Sequence, residues 1–207
     1  MGAVVALSGM LDARQVWRGR AMPVPAGEQP TGWAALDAAL PAGGWPDAAL
    51  SEILLPVDGV GELRLLLPTL ARLSHGARPV IVVAPPYAPC VAGWQQHGVD
   101  MRRVDIVAAP EAEVLWATEQ CLRSGSCAAV LAWPRKADDR ALRRLQVAAD
   151  TGKALAFAFR DRRHLSSASP AALRLEIETA PSARVWVRKC RGGAVPAQPF
   201  ALSRSLH

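Results

Sequence analysis

From residue 50 onward, short, mostly apolar runs alternate with stretches in which apolar positions recur every three or four residues. The runs are Leu50–Leu55, Pro79–Ala84, Val104–Val107, Ala128–Trp133 and Ala154–Arg160. Each would be apolar on both sides of an extended chain, as a strand covered on both faces must be. The intervening segments Glu62–Ser74, Val91–His97, Ala112–Arg123 and Asp138–Thr151 carry the helical period. That alternation predicts an α/β domain of three layers, with a mainly parallel central sheet between helices. Near the end, Leu173–Glu178 and Arg184–Lys189 alternate polar with apolar residues. They predict antiparallel strands that extend one edge of the sheet.

Ahead of the first strand, Val4, Leu7, Met10, Leu11, Val16 and Trp17 fall close to helical spacing over Val4–Arg18. Met22–Pro30 contains three prolines and one glycine and reads as an extended linker. Trp33–Leu40 predicts a short helix with Thr31 as its N-cap, followed by a Gly-rich loop over Pro41–Pro46. The expected division is therefore an N-terminal helix over 1–20, a linker over 21–30 and a single domain over 31–207. The leading helix must bury its apolar face on its own domain or on a neighbouring subunit, and the second case would be self-association. The segment Asp161–Ala172, rich in Arg, Ser and Ala, is the expected flexible element of the domain.

A chain of 207 residues, 51% hydrophobic, suffices for one substantial core. Its net charge of +6 is concentrated in two stretches. Arg135–Arg163 holds nine Lys/Arg against four Asp, and Arg184 to the end holds five Lys/Arg and no acid. Both a solvated surface and a face for a polyanion or an acidic protein fit this pattern. Cys90, Cys121, Cys127 and Cys190 form no CxxC pair, and no histidine stands at ligand spacing from them, so no metal site is expected. They read as buried, reduced thiols of a cytoplasmic protein. No apolar run approaches the length of a membrane span.

The turn after the first strand is where an α/β domain of this kind would hold phosphate. Such a turn offers inward amides, a Lys for the terminal phosphates and a Ser or Thr for magnesium. Here Leu50–Leu55 runs into Pro56, Val57, Asp58, Gly59, Val60, Gly61, Glu62 and Leu63. Glu62 stands in the place of the Lys and Leu63 in the place of the hydroxyl residue. A carboxylate repels triphosphate and a leucine cannot ligate a metal. Ala128–Trp133 ends in Trp133-Pro134 without an Asp for magnesium, and Pro79–Ala84 ends in Pro85-Pro86 without a Glu to act as base. With these parts of phosphoryl-transfer machinery missing, no catalytic residue and no cofactor are expected.

From Thr31 onward the chain resembles the RecA superfamily. Thr31-Gly32-Trp33-Ala34-Ala35-Leu36-Asp37, Leu40, Gly43-Gly44-Trp45-Pro46 and Leu50-Ser51-Glu52-Ile53 match its lead-in to the phosphate loop, and Gly98-Val99-Asp100 with Val104-Asp105-Ile106-Val107 fits as well. Two degenerate branches are similar. One is the SulA family of cell-division inhibitors, through Leu50-Ser51-Glu52, Leu65–Pro68 and Trp133. The other is ImuA, the accessory factor of damage-inducible mutagenesis. It shares the lead-in, Val16-Trp17-Arg18-Gly19, the Gly59–Pro68 segment and a basic C-terminal strand, and so covers more of the chain.

The ImuA resemblance implies a RecA-like domain acting as a non-catalytic adaptor in SOS translesion synthesis. Its implied partners are an ImuB-like polymerase relative, RecA and an error-prone replicative-type polymerase. The SulA resemblance implies instead a division inhibitor that binds a tubulin-like protein. Val16, Trp17 and Arg18 resemble in position the RecA segment that docks on a neighbouring subunit, which makes them candidate partner-binding residues. Arg184, Trp186 and Arg188 would share one face of a strand, and with Lys189 and Arg191 they are candidates for DNA contact. An ordinary charged edge strand accounts for the same residues.

Overall fold

The protein's computed structural model describes residues 29–179 and 182–202, so the helix predicted over Val4–Arg18 lies outside the described residues. The order of elements is α1 (Ala34–Ala39), β1 (Leu50–Leu55), α2 (Leu63–Ser74), β2 (Val80–Val83), α3 (Val91–Gln96), β3 (Val104–Val107), α4 (Val114–Arg123), β4 (Ala129–Ala132), α5 (Asp139–Gly152), β5 (Leu155–Asp161), β6 (Leu173–Glu178), β7 (Arg184–Cys190) and β8 (Phe200–Ala201). Short 3-10 turns cover Met101–Arg103 and Arg162–Ser166. The strands form one eight-stranded sheet in the order β3-β2-β4-β5-β1-β6-β7-β8. All neighbours from β3 to β6 are parallel, and β7 and β8 are added antiparallel at the β6 edge.

The mostly apolar runs are explained by two cores, one on each face of the sheet. Ile53 and Leu55 of β1 pack with Leu36 of α1, Leu66 and Leu70 of α2 and Trp94 of α3. Leu50 faces the other way, toward Leu122 of α4 and Leu142 and Leu145 of α5. The amphipathic helices turn one stripe to the sheet and the other to solvent.

Three local expectations change. Thr31 is not the N-cap of α1, where Trp33 stands without a side-chain cap bond. Gly32, at φ +84°, turns the chain first. The Thr31 hydroxyl accepts the Trp33 N–H at 3.1 Å, while the Thr31 N–H donates to Asp37 Oδ1 at 2.8 Å.

The segment Asp161–Ala172 is not loose. Arg174 donates to the carbonyls of His164, Leu165 and Ser167, Lys189 donates to that of Ser169, and Arg191 to that of Pro170. Its serine- and arginine-rich composition could not reveal cations that arrive from strands further along the chain.

The cysteines are free, but only Cys127 is buried; Cys121 and Cys190 are half-buried and Cys90 is exposed. Burial, reinforced by the neighbouring Cys121, pushes the Cys127 thiol up to about 11. At pH 8 Cys90 should therefore react with a maleimide first, and Cys127 only on unfolding. Mass spectrometry of timed samples checks the order, since it is the thiolate that reacts.

Candidate functional site

All six residues of β1 are buried, and the strand delivers the chain into the turn Pro56–Glu62 at the C-terminal end of the parallel sheet. In open α/β sheets this end is where ligands bind. Gly59 and Gly61 sit at φ +83° and +87°, which only glycine adopts without strain, so the turn depends on both.

Side chains close the turn. Glu62 is 3% exposed, and its Oε1 accepts the Gly59 N–H at 3.1 Å. An amide that could grip a phosphate is thus taken by the chain's own carboxylate, three residues along. Leu63 and Val60 pack against the α2 side of the core. Asp58 is held by Arg135, which reaches across from the segment after β4 with Nη2 2.6 Å from Oδ2.

Around the turn, the residues directly after β2 and β4 are apolar. Trp133, just beyond β4, is buried and stacks on Phe159 with ring centroids 4.5 Å apart. Beyond β2 the chain continues through Ala84, Pro85 and Pro86. The ends of β2, β3 and β4 open onto a cleft of about 490 Å³ whose walls include Pro85, Pro86, Ile106, Ala108 and Trp133. Tyr87, 64% exposed, stands beside Gly59 at the loop side of this cleft. Among the described residues, no group of three or more His, Cys, Asp or Glu could hold a metal ion.

Directly behind the turn lies an ionic triad that sequence reading missed. Glu52 on β1 is fully buried, with Arg160 of β5 at 2.6 Å on one oxygen and Arg174 of β6 at 2.8 Å on the other. β5, β1 and β6 are adjacent, so alternate residues of three neighbouring strands meet on one face. Arg160 also donates to the Ala137 carbonyl at 2.5 Å, while its Nε has no partner. Burial and the Arg160 and Arg163 guanidiniums hold the nearby His164 imidazole below its usual pKa. The sequence carried only half of the signal, an acid inside a mostly apolar strand; which later cations meet it depends on the strand order.

Of the candidate DNA residues, Arg184, Trp186 and Arg188 lie on the face of β7 turned away from the core. Arg184 and Trp186 are half-buried and Arg188 exposed, while Val185 and Val187 face the core. The Arg188 guanidinium lies 4.6 Å over the Trp186 ring. Opposite them on β6, however, are acids. Glu176 pairs with Arg188 at 2.6 Å, and Glu178 accepts the Trp186 indole N–H at 3.2 Å. Lys189 and Arg191 are spent on loop carbonyls. Burial, then Arg191 and Arg174, push the Lys189 ammonium below its usual pKa. Val16, Trp17 and Arg18 lie outside the described residues. Gln29 and Pro30, the end of the expected linker, are described, and Gln29 is docked: its carbonyl accepts the Trp45 N–H at 2.7 Å, and its side chain accepts from Arg72 at 2.8 Å. No helix among the described residues is long and apolar enough to cross a membrane.

No curated protein matches the chain. Among solved structures, the crystal structure of SulA from Pseudomonas aeruginosa is similar, at 29% identity over 56% of this chain and 98% of that one, with a TM-score of 0.47. The family model for the cell division inhibitor SulA matches residues 49–156, which run from β1 to the start of β5 and make up just over half of the chain. By that match the chain belongs to the SulA cell-division inhibitor family.

Proposed function

We propose that this chain is a non-enzymatic factor of the DNA-damage response that works by binding another protein, on a RecA-like framework whose phosphate loop is plugged. The observation that carries the reading is Glu62, buried in the turn and bonded to the Gly59 amide. It puts negative charge where a triphosphate would need donors, and Leu63 and Trp133 supply no magnesium ligand. Family membership supports a tubulin-like division protein as the target, with inhibition of its assembly as the outcome.

A second reading, an adaptor of translesion synthesis that binds an ImuB-like protein together with RecA and an error-prone polymerase, is favoured by a separate observation. The lead-in over residues 31–46 and strands β6–β8 fall outside residues 49–156, yet they are built into the same core and sheet.

Two measurements on the purified full chain test this. Titration with Mg-ATP should show no saturable binding and no turnover; tight binding with hydrolysis would overturn both readings. Co-purification from damaged cells, followed by an assembly assay, then separates them. Retention of a tubulin-like protein with blocked polymerisation supports division inhibition. Retention of a polymerase-like partner with unaltered polymerisation supports the adaptor.

A further inference from the structure

We infer that the outer face of the α4–α5 helix pair is a docking surface for an acidic segment of a partner protein, anchored on Trp116. The inference rests on the reading of the chain as a protein-binding factor and names the surface and the chemistry of what it binds. The two helices run side by side at close range, because Gly152 presents no side chain to the Leu122 backbone. Between them, Glu119 is 5% exposed, yet it holds two arginines that remain at the surface: Arg123 at 3.0 Å, and Arg144 from the opposite helix. Their side chains are 50% and 58% exposed.

One buried carboxylate therefore fixes two outward guanidiniums. Much of the side-chain entropy that a partner would otherwise have to remove is already lost. One turn before Glu119, Trp116 is 60% exposed, and on α5 Val147 is 52% exposed one turn beyond Arg143 and Arg144. Arg140, one turn before Arg144, makes no hydrogen bond or ion pair among the described residues and is exposed. An exposed tryptophan one helical turn from a carboxylate that holds two arginines brings together the two residue types that dominate binding energy at protein interfaces.

Charge selects the occupant. Arg123, Arg140 and Arg144 against Glu119 leave the helix pair that carries Trp116 and Val147 with a positive centre. Toward the helix ends Asp139 is paired with Arg143 and Asp150 with Lys153, and Glu113 is exposed, so the positive charge is confined to the centre. A short protein segment with a few carboxylates matches a confined centre, whereas a long phosphate backbone needs a continuous positive track.

The probe is a labelled helical peptide with leucines along one face flanked by glutamates, titrated into the full chain by fluorescence anisotropy beside a single-stranded DNA. Binding is expected for the peptide, weakened about tenfold by Trp116→Ala and likewise by Arg140→Glu. Unchanged melting temperatures should accompany both, since neither residue contributes to a core. Absence of peptide binding, or equal binding by wild type and variants, overturns the inference. So does DNA binding that these substitutions abolish while the peptide stays unbound. Co-purification asks whether a partner exists and this titration asks where acid docks, so either can fail alone.

Discussion

Replacing Glu52 with alanine should cost about 3–5 kcal/mol of folding stability, because it leaves two guanidiniums buried with no counter-charge. Arg160 and Arg174 have side chains only 3% and 8% exposed, so water cannot take over from the lost carboxylate. Against a typical total of roughly 5–15 kcal/mol, much of the stability would go. Urea unfolding followed by circular dichroism should show a midpoint far below that of the wild type. The damage should also spread. Arg174 orients the turn at Arg162–Ser166 through three carbonyls, and with its anchor gone protease cleavage after Arg162 or Arg163 should accelerate. A midpoint close to the wild type would mean that the two arginines find other partners on the sheet.

The second large effect is expected at Trp45. Trp45→Ala should destabilise by about 3–5 kcal/mol, the usual cost of emptying a tryptophan site in a core. Trp45 is fully buried, meets Phe157 of β5 edge-on at 4.9 Å, and donates its indole N–H to Thr69 of α2 at 2.7 Å. Thr69 in turn donates to the Thr31 carbonyl at 3.2 Å, so one side chain pins the lead-in to both the sheet and α2. Trp45→Phe keeps the ring and loses the hydrogen bond, for which about 1 kcal/mol plus some packing loss is expected. Guanidinium unfolding of the three proteins measures the ladder; a phenylalanine variant as weak as the alanine one would show that the bond to Thr69, and not ring volume, carries the site.

Thr31–Pro46 resembles a lead-in to a nucleotide site, and its residues are accounted for by packing alone: Gly32 turns at positive φ, Thr31 bonds Trp33 and Asp37, and Trp45 fills the core. In the loop beyond β1, Gly59 and Gly61 take positive φ and Glu62 bonds the Gly59 amide.

Local pattern was enough for the layered architecture. Runs such as Leu50–Leu55 and Ala129–Ala132 are buried along their whole length, and a strand of that kind has only one kind of place in a fold, between two layers of helix. Glu62 and Leu63 could be set against a phosphate-turn pattern because such a pattern resides in a few consecutive residues, and the structure adds the bond from the Gly59 amide to Glu62. The ionic triad was not. Glu52, Arg160 and Arg174 are 108 and 122 residues apart, and only the strand order β5-β1-β6 makes them neighbours.

The same distinction governs the basic residues. Composition alone counted Arg188, Lys189 and Arg191 as free positive charge; tertiary structure set Glu176 opposite the first and loop carbonyls against the other two. Among the described residues it left Arg140 without a partner, on the helix pair that also exposes Trp116. Periodicity along the chain determines which face of an element is apolar, since that is a property of consecutive residues. Which charges cancel and which remain to meet a partner depends on contacts between distant strands and helices, and those exist only once the sheet order is set.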